Sequence, residues 1–127
     1  MKRLLWLIAA LFVTPAYAYT ADELRGDCRT AEALYDDQKS GDPHDAIRSA
    51  RCIAYVAGFA DGFAVGDYLA DKVGIRLNAF CLPKDADLSA RLVRAVNAHL
   101  DRQPPGSTAS TANLVAGALS RSFPCRE

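Results

Sequence analysis

The chain has 127 residues, fifteen Lys and Arg against fifteen Asp and Glu, half of its residues apolar, and four cysteines. That length holds one domain, and the even charge balance excludes a nucleic-acid binder, which needs a basic excess to neutralise phosphates. A charged fraction of 24% beside so many apolar residues excludes a disordered chain.

Residues 1–18 read as an export signal. Met1-Lys2-Arg3 is a short basic start, Leu4 to Val13 is unbroken apolar sequence, and Ala16-Tyr17-Ala18 offers small residues where a signal peptidase reads them. As a helix the apolar run would span only about 15 Å, half of a bilayer core of roughly 30 Å. Cleavage after Ala18 would leave a single exported domain, residues 19–127, with thirteen basic and fifteen acidic groups, a net charge of −2. That domain has nineteen alanines against 23 Leu, Ile, Val and Phe. Its core is therefore built from small side chains, and a thin core in a small domain calls for covalent reinforcement.

The spacing predicts a first helix over 21–38. Thr20 is its cap and Glu23 completes a capping box, with Leu24, Cys28, Ala31 and Tyr35 on one apolar stripe. Lys39-Ser40-Gly41 ends it, and Asp42-Pro43 opens a long second helix that runs to about Ala70. The stretch from Asp71 to Asp85 reads as an irregular loop, although Val73, Ile75 and Leu77 alternate as a short strand would. Asp87 caps a third helix that turns Leu88, Leu92, Val93, Val96 and Leu100 to one side, and Gln103-Pro104-Pro105-Gly106 stops it. A fourth helix begins within 107–111, carries Leu114, Val115, Ala118, Leu119 and Phe123 inward, and closes at Pro124. The expected fold is all-α: a small bundle of four to five helices arranged as two hairpins and held by disulfides.

Four cysteines allow three pairings. In an antiparallel hairpin of the first two helices, Cys28 and Cys52 both sit roughly 15 Å from the turn at about 1.5 Å per residue. The third and fourth helices have nearly equal arms, with Cys81 just before them and Cys125 just after, so their ends return to one place. Cys28–Cys52 and Cys81–Cys125 is therefore the expected pairing, in a compartment that permits it. A metal site is the rival reading. It fails because no Cys-x-x-Cys exists and His44 and His99 stand apart from the cysteines.

The second helix is unusual. Small residues recur at every fourth position: Ala46, Ala50, Ala54, Gly58, Gly62, Gly66 and Ala70. Beside them runs a bulky row of Ile47, Tyr55, Phe59 and Phe63. Such a groove admits a close neighbour, either another helix of the bundle or, with Ala54, Gly58, Gly62 and Gly66 as the seam, a second copy of the chain. Arg48, Arg51, Asp61, Asp67, Asp71 and Lys72 interrupt the segment, so no membrane insertion is expected after signal cleavage. Asp61 reads as a structural acid bonded to a tyrosine hydroxyl or a backbone group, or as an exposed edge. The remaining acids, Glu127 aside, read as caps and solvated faces.

Three motifs follow in order: Cys52-x-x-Tyr55-x-x-Gly58-Phe59-x-Asp61-Gly62, then Phe80-Cys81-x-Pro83, then Ala118-Leu119-x-x-x-Phe123-Pro124-Cys125. Together, behind a signal peptide, they resemble the Rap/Tai family of immunity proteins against peptidoglycan amidase effectors delivered by type VI secretion. The resemblance implies a small helical disulfide-bonded domain, often dimeric, that occupies the active-site cleft of one cognate effector. The motif residues are cysteines, glycines and core aromatics, which belong to the fold. Partner contacts would then fall in loops, with Asp71, Lys72, Arg76 and Asn78 in one and Asp101 and Arg102 in another.

No nucleophile with a base, carboxylate pair or phosphate loop emerges, so neither catalysis nor a cofactor is expected. The alternative to immunity is a small periplasmic helical chaperone or stress-response protein, which would bind many clients weakly.

Overall fold

The computed structural model describes residues 18–104 and 106–126. The expected export signal lies, apart from Ala18, outside the described residues. Four helices occupy them: α1 (Ala21–Tyr35), α2 (Pro43–Asp71), α3 (Leu88–Asp101) and α4 (Thr111–Ser122). The fold is all-α, and no strand occurs among the described residues; the alternating Val73, Ile75 and Leu77 lie in an irregular, exposed loop.

Three of the four helix starts have a local cause. The Thr20 hydroxyl accepts the Glu23 amide at 3.2 Å while the Glu23 carboxylate accepts the Thr20 amide at 2.9 Å, the reciprocal capping box that the sequence predicts. Asp42 accepts the His44 amide at 2.8 Å, and Pro43 occupies the first turn of α2, where its missing N–H costs nothing. Ser110 caps α4 through the Asn113 amide at 3.2 Å. Asp87 departs from expectation: it stands at the cap position of α3, but its side chain makes no capping bond. Helix α1 also ends at Tyr35, three residues short of the expected Gln38, where Asp37 adopts a left-handed backbone with φ 56°.

Helix α1 packs on both α2 and α3, and α3 packs on α4, so the two expected hairpins share one core. Leu24, Cys28 and Ala31 of α1 meet Cys52, Val56 and Ala60 of α2. Leu92, Val93, Val96 and Leu100 of α3 meet Leu114, Val115, Ala118 and Leu119 of α4. Leu24, Leu100 and Leu119 are fully buried, each contributing about 1.5–3 kcal/mol by area transfer. Both expected disulfides are present, with Cα–Cα distances of 5.1 Å for Cys28–Cys52 and 4.8 Å for Cys81–Cys125. On the chain-entropy account, their loops would contribute about 3.5 and 4 kcal/mol.

Of the two neighbours that the spacing in α2 admits, another helix of the bundle covers only part of its length. Its fully buried residues are Ser49, Cys52, Val56 and Ala60, one face of its first two thirds, and none of 61–71 is buried. Length is the reason. At about 1.5 Å per residue, α2 with 29 residues reaches about 43 Å, while α1 with 15 residues covers only half of it.

Candidate partner-binding surface

The outer face of α2 is apolar as well. Ile47, Ala54, Gly58 and Val65 recur at spacings of seven, four and seven, which places them on one side of the helix, with Leu69 next to them. This side lies opposite Cys52 and Val56, and it faces solvent: Ile47, Val65 and Leu69 are each nearly 60% exposed. The small residues between them meet nothing. A Cβ built at Gly58, Gly62 or Gly66 finds no neighbouring atom within 4 Å, so no helix among the described residues uses the groove that their spacing offers. Ala54 is exposed too, at the lip of a shallow hollow formed by Tyr19, Glu23, Arg51 and Tyr55. Asp61 lies on the exposed edge of the helix, not in the core.

The apolar strip continues into the loop after α2. Gly74, with φ 79°, takes the left-handed conformation that ends the helix, and the Ile75 amide turns back to the Ala70 carbonyl at 2.9 Å. The Asp67 carboxylate then accepts the Leu77 amide at 3.1 Å, holding the loop against the end of α2. Val73 (74% exposed), Ile75 and Leu77 are thereby presented to solvent beside Tyr68. The Lys72 ammonium lies over the Tyr68 ring at 4.7 Å. A shallow groove at this corner is lined by Ala64, Asp67, Tyr68, Asp71, Arg76 and Asn78. Of the residues expected to meet a partner, Asp71, Arg76 and Asn78 line this groove, Asp71 from the last turn of α2, and Lys72 lies over the ring of Tyr68, which also lines it. Exposed apolar side chains close in sequence to charged and polar ones are typical of protein interfaces.

Asp101 and Arg102 are placed differently. Asp101 receives Arg29 at 2.9 Å and lies 4.0 Å from Arg25, while Arg25 also donates to the Leu100 carbonyl at 3.0 Å. These bonds fasten the end of α3 to α1, so Asp101 is engaged within the fold. Arg102 is the C-cap residue of α3, and its amide turns back to the His99 and Leu100 carbonyls.

A second polar cluster joins α1 to α2. Asp27, read from sequence as a solvated acid, is 4% exposed. It accepts the Tyr19 hydroxyl at 2.9 Å, with Arg48 at 3.3 Å and Arg51 at 3.5 Å. Tyr19 stacks edge-on against Tyr55 with ring centroids 5.1 Å apart, and its carbonyl accepts the Thr111 hydroxyl at 2.6 Å. Burial, then the bond to Asp27, pushes the Tyr19 phenol well above its ordinary range. Glu23 is held below the usual carboxylate range, chiefly by the Thr20 amide and hydroxyl and then by Arg51. Each group is matched by another within the fold, so the cluster reads as a clasp with no unmatched acid or base left for chemistry. No group of three His, Cys, Asp or Glu able to hold a metal occurs among the described residues. No helix among them is long and apolar enough to cross a membrane.

No curated protein and no solved structure matches the chain. The family model for Rap1a immunity proteins matches residues 20–125, from the capping threonine of α1 to the last cysteine. An all-α domain with two disulfides and an uncovered apolar ridge, matched over that whole length, belongs to the Rap1a immunity protein family.

Proposed function

We propose that this protein is a periplasmic immunity protein that binds and blocks a cognate peptidoglycan amidase effector delivered by type VI secretion. Family membership gives an immunity protein against an effector; the amidase target and the compartment are the proposal. The export-signal pattern of residues 1–18 supports the compartment. The two disulfides accord with an oxidising one. The single observation that carries the binding role is the exposure of Val73, Ile75 and Leu77 in the loop after α2, the loop that also supplies Arg76 and Asn78 to the neighbouring groove. An exposed apolar loop suits insertion into a cleft, and blocking a cleft requires no catalysis by the blocker.

The proposed occupant of the Ala54, Gly58, Gly62 and Gly66 strip is a second copy of the chain. Glycines in a helix interior cost roughly 1 kcal/mol each relative to alanine. Close approach of a partner helix is what would offset that cost.

Periplasmic co-expression with the product of the neighbouring gene tests the function. Protection from lysis, a discrete complex on gel filtration and inhibition of peptidoglycan cleavage are the expected results. Toxicity without protection, or broad weak binding to many unfolded clients, would overturn the reading, the latter in favour of a chaperone.

A further inference from the structure

The two disulfides differ in what surrounds them. Cys28 and Cys52 are both at 0% exposure and belong to the buried core, in the same cluster as Leu24, Val56 and Val96. Cys81 is exposed and Cys125 half-buried. Neither of this second pair lies in a helix. Cys81 belongs to the irregular segment before α3, and Cys125 follows Pro124 in the tail after α4. The two segments meet through the Cys81 amide, which donates to the Phe123 carbonyl at 2.8 Å.

The surroundings of this outer bridge form a groove. Cys81, Leu82, Pro83, Phe123, Pro124 and Arg126 line it, with Arg91 laid over the Phe123 ring at 5.5 Å. Cys81, the exposed half of the bridge, is reachable by a thiolate, and of the two arginines in the groove Arg91 is already paired with Asp85 while Arg126 is exposed. Access and local positive charge are the terms that govern exchange rates. The inner bridge lacks the access.

We propose that Cys81–Cys125 is a thiol–disulfide exchange site whose partner is the dithiol of an oxidoreductase, whereas Cys28–Cys52 stays closed under the same conditions. In the reducing direction, a partner thiolate attacks Cys81 Sγ and forms an intermolecular S–S bond. The Cys81–Cys125 bond breaks, and Cys125 leaves as a thiolate that takes up a proton. The partner's second thiolate then attacks the sulfur joined to Cys81. This releases Cys81 as a thiolate, which is protonated, and leaves the partner oxidised by two electrons. The reverse sequence closes the bridge in the newly exported chain.

Opening it removes the covalent tie at the exit of the loop that follows α2. The Cys81 amide bond, the stacking of Phe80 on Phe63 with centroids 4.1 Å apart, the Asp67 bond to the Leu77 amide and the packing of Leu82 on the core then remain. The inference is independent of the effector reading, because every part of its test can be run on the purified protein without an effector.

The oxidised full domain is exposed to limiting dithiothreitol, quenched with iodoacetamide and mapped by peptide mass. Cys81 and Cys125 should be alkylated at least tenfold faster than Cys28 and Cys52; equal rates, or earlier opening of Cys28–Cys52, would overturn the proposal. A thioredoxin-type dithiol protein whose resolving cysteine is replaced by serine should be trapped on Cys81. Trapping on Cys28 or Cys52, or no trapping, would overturn it as well. Hydrogen exchange of the selectively reduced protein should rise in 78–83 and 121–126 and stay unchanged in 24–31 and 92–100. A rise in the core segments would mean global opening and would equally overturn it.

Discussion

Gly117 of α4 leaves the space that the His99 ring of α3 fills. A Cβ at residue 117 would lie 3.1 Å from Nε2 of His99 and 3.2 Å from its Cε1. The ring is itself buried and meets the Gln103 amide at 3.1 Å, so it has little room to retreat. Gly117→Ala gains roughly 1 kcal/mol of helix propensity, but overpacking a fixed neighbour costs about 1–3 kcal/mol. The expected net effect is destabilisation by about 1 kcal/mol, read from urea denaturation midpoints. A stabilised variant would show that His99 yields freely.

His99 also makes the domain sensitive to acid. Burial, then the positive charges of Arg121 and Arg102, lower its pKa from 6.5, and its Nδ1 meets no hydrogen-bonding group among the described residues. Because the folded value lies below the unfolded one, the unfolded chain binds more protons in the window beneath 6.5. Stability from this group is therefore complete above that pH and is lost as pH falls through the window. Melting temperature should decline between about pH 7 and 5.5, above the range in which carboxylates titrate. His99→Gln should flatten that decline; an unchanged slope would assign it to other groups.

Asp27 links two helices through three partners, and its loss should be felt in all of them. Arg48 and Arg51 are nearly half exposed and can turn to water, which reduces the penalty expected for a broken buried pair. Asp27→Ala should therefore cost about 2 kcal/mol, and Tyr19→Phe about 1 kcal/mol. In a double-mutant cycle the two should be non-additive by at least about 0.5 kcal/mol. Additivity would mean that the 2.9 Å bond between them contributes nothing to stability.

Local chemistry in the sequence was enough for the helix starts at Thr20 and Asp42, the apolar stripes of α1, α3 and α4, and both cysteine pairs. These depend on residues a few positions apart, or on the heights of two arms of a hairpin. Asp27 was not legible in this way, since Arg48 and Arg51 reach it across 21 and 24 positions and nothing local marks it as buried. Helix α2 shows the other limit. Its two faces are both apolar, so periodicity could not say which one the bundle covers, and a fourfold spacing of small residues shows that a helix could approach but not whether one does. For the candidate site, composition placed Asp71, Lys72, Arg76 and Asn78 in a loop. It gave no sign that Asp67 would hold that loop in place, or that Asp101 would already be engaged by Arg29.

The ridge after α2 gives the sharpest test of partner binding. Val73 is 74% exposed and touches no core residue, so Val73→Asp should leave the melting temperature unchanged. If the ridge enters the effector's cleft, the buried charge should weaken the complex by about 2 kcal/mol or more, at least tenfold in Kd. Wild-type affinity in that variant would move the contact elsewhere on the surface.

The glycine strip separates monomer stability from assembly. With no atom within 4 Å of a Cβ at Gly62, Gly62→Ala in an unpaired helix should stabilise the fold by up to about 1 kcal/mol, the propensity difference alone. The same methyl would intrude if a second copy packs against the strip, and a larger side chain would intrude more. Gly62→Leu should therefore leave the circular dichroism spectrum intact while converting a dimer to a monomer in light scattering at micromolar concentration. A dimer that persists with leucine at this position would place its seam away from the strip. The propensity lost at Gly58, Gly62 and Gly66 would then have no partner helix to offset it.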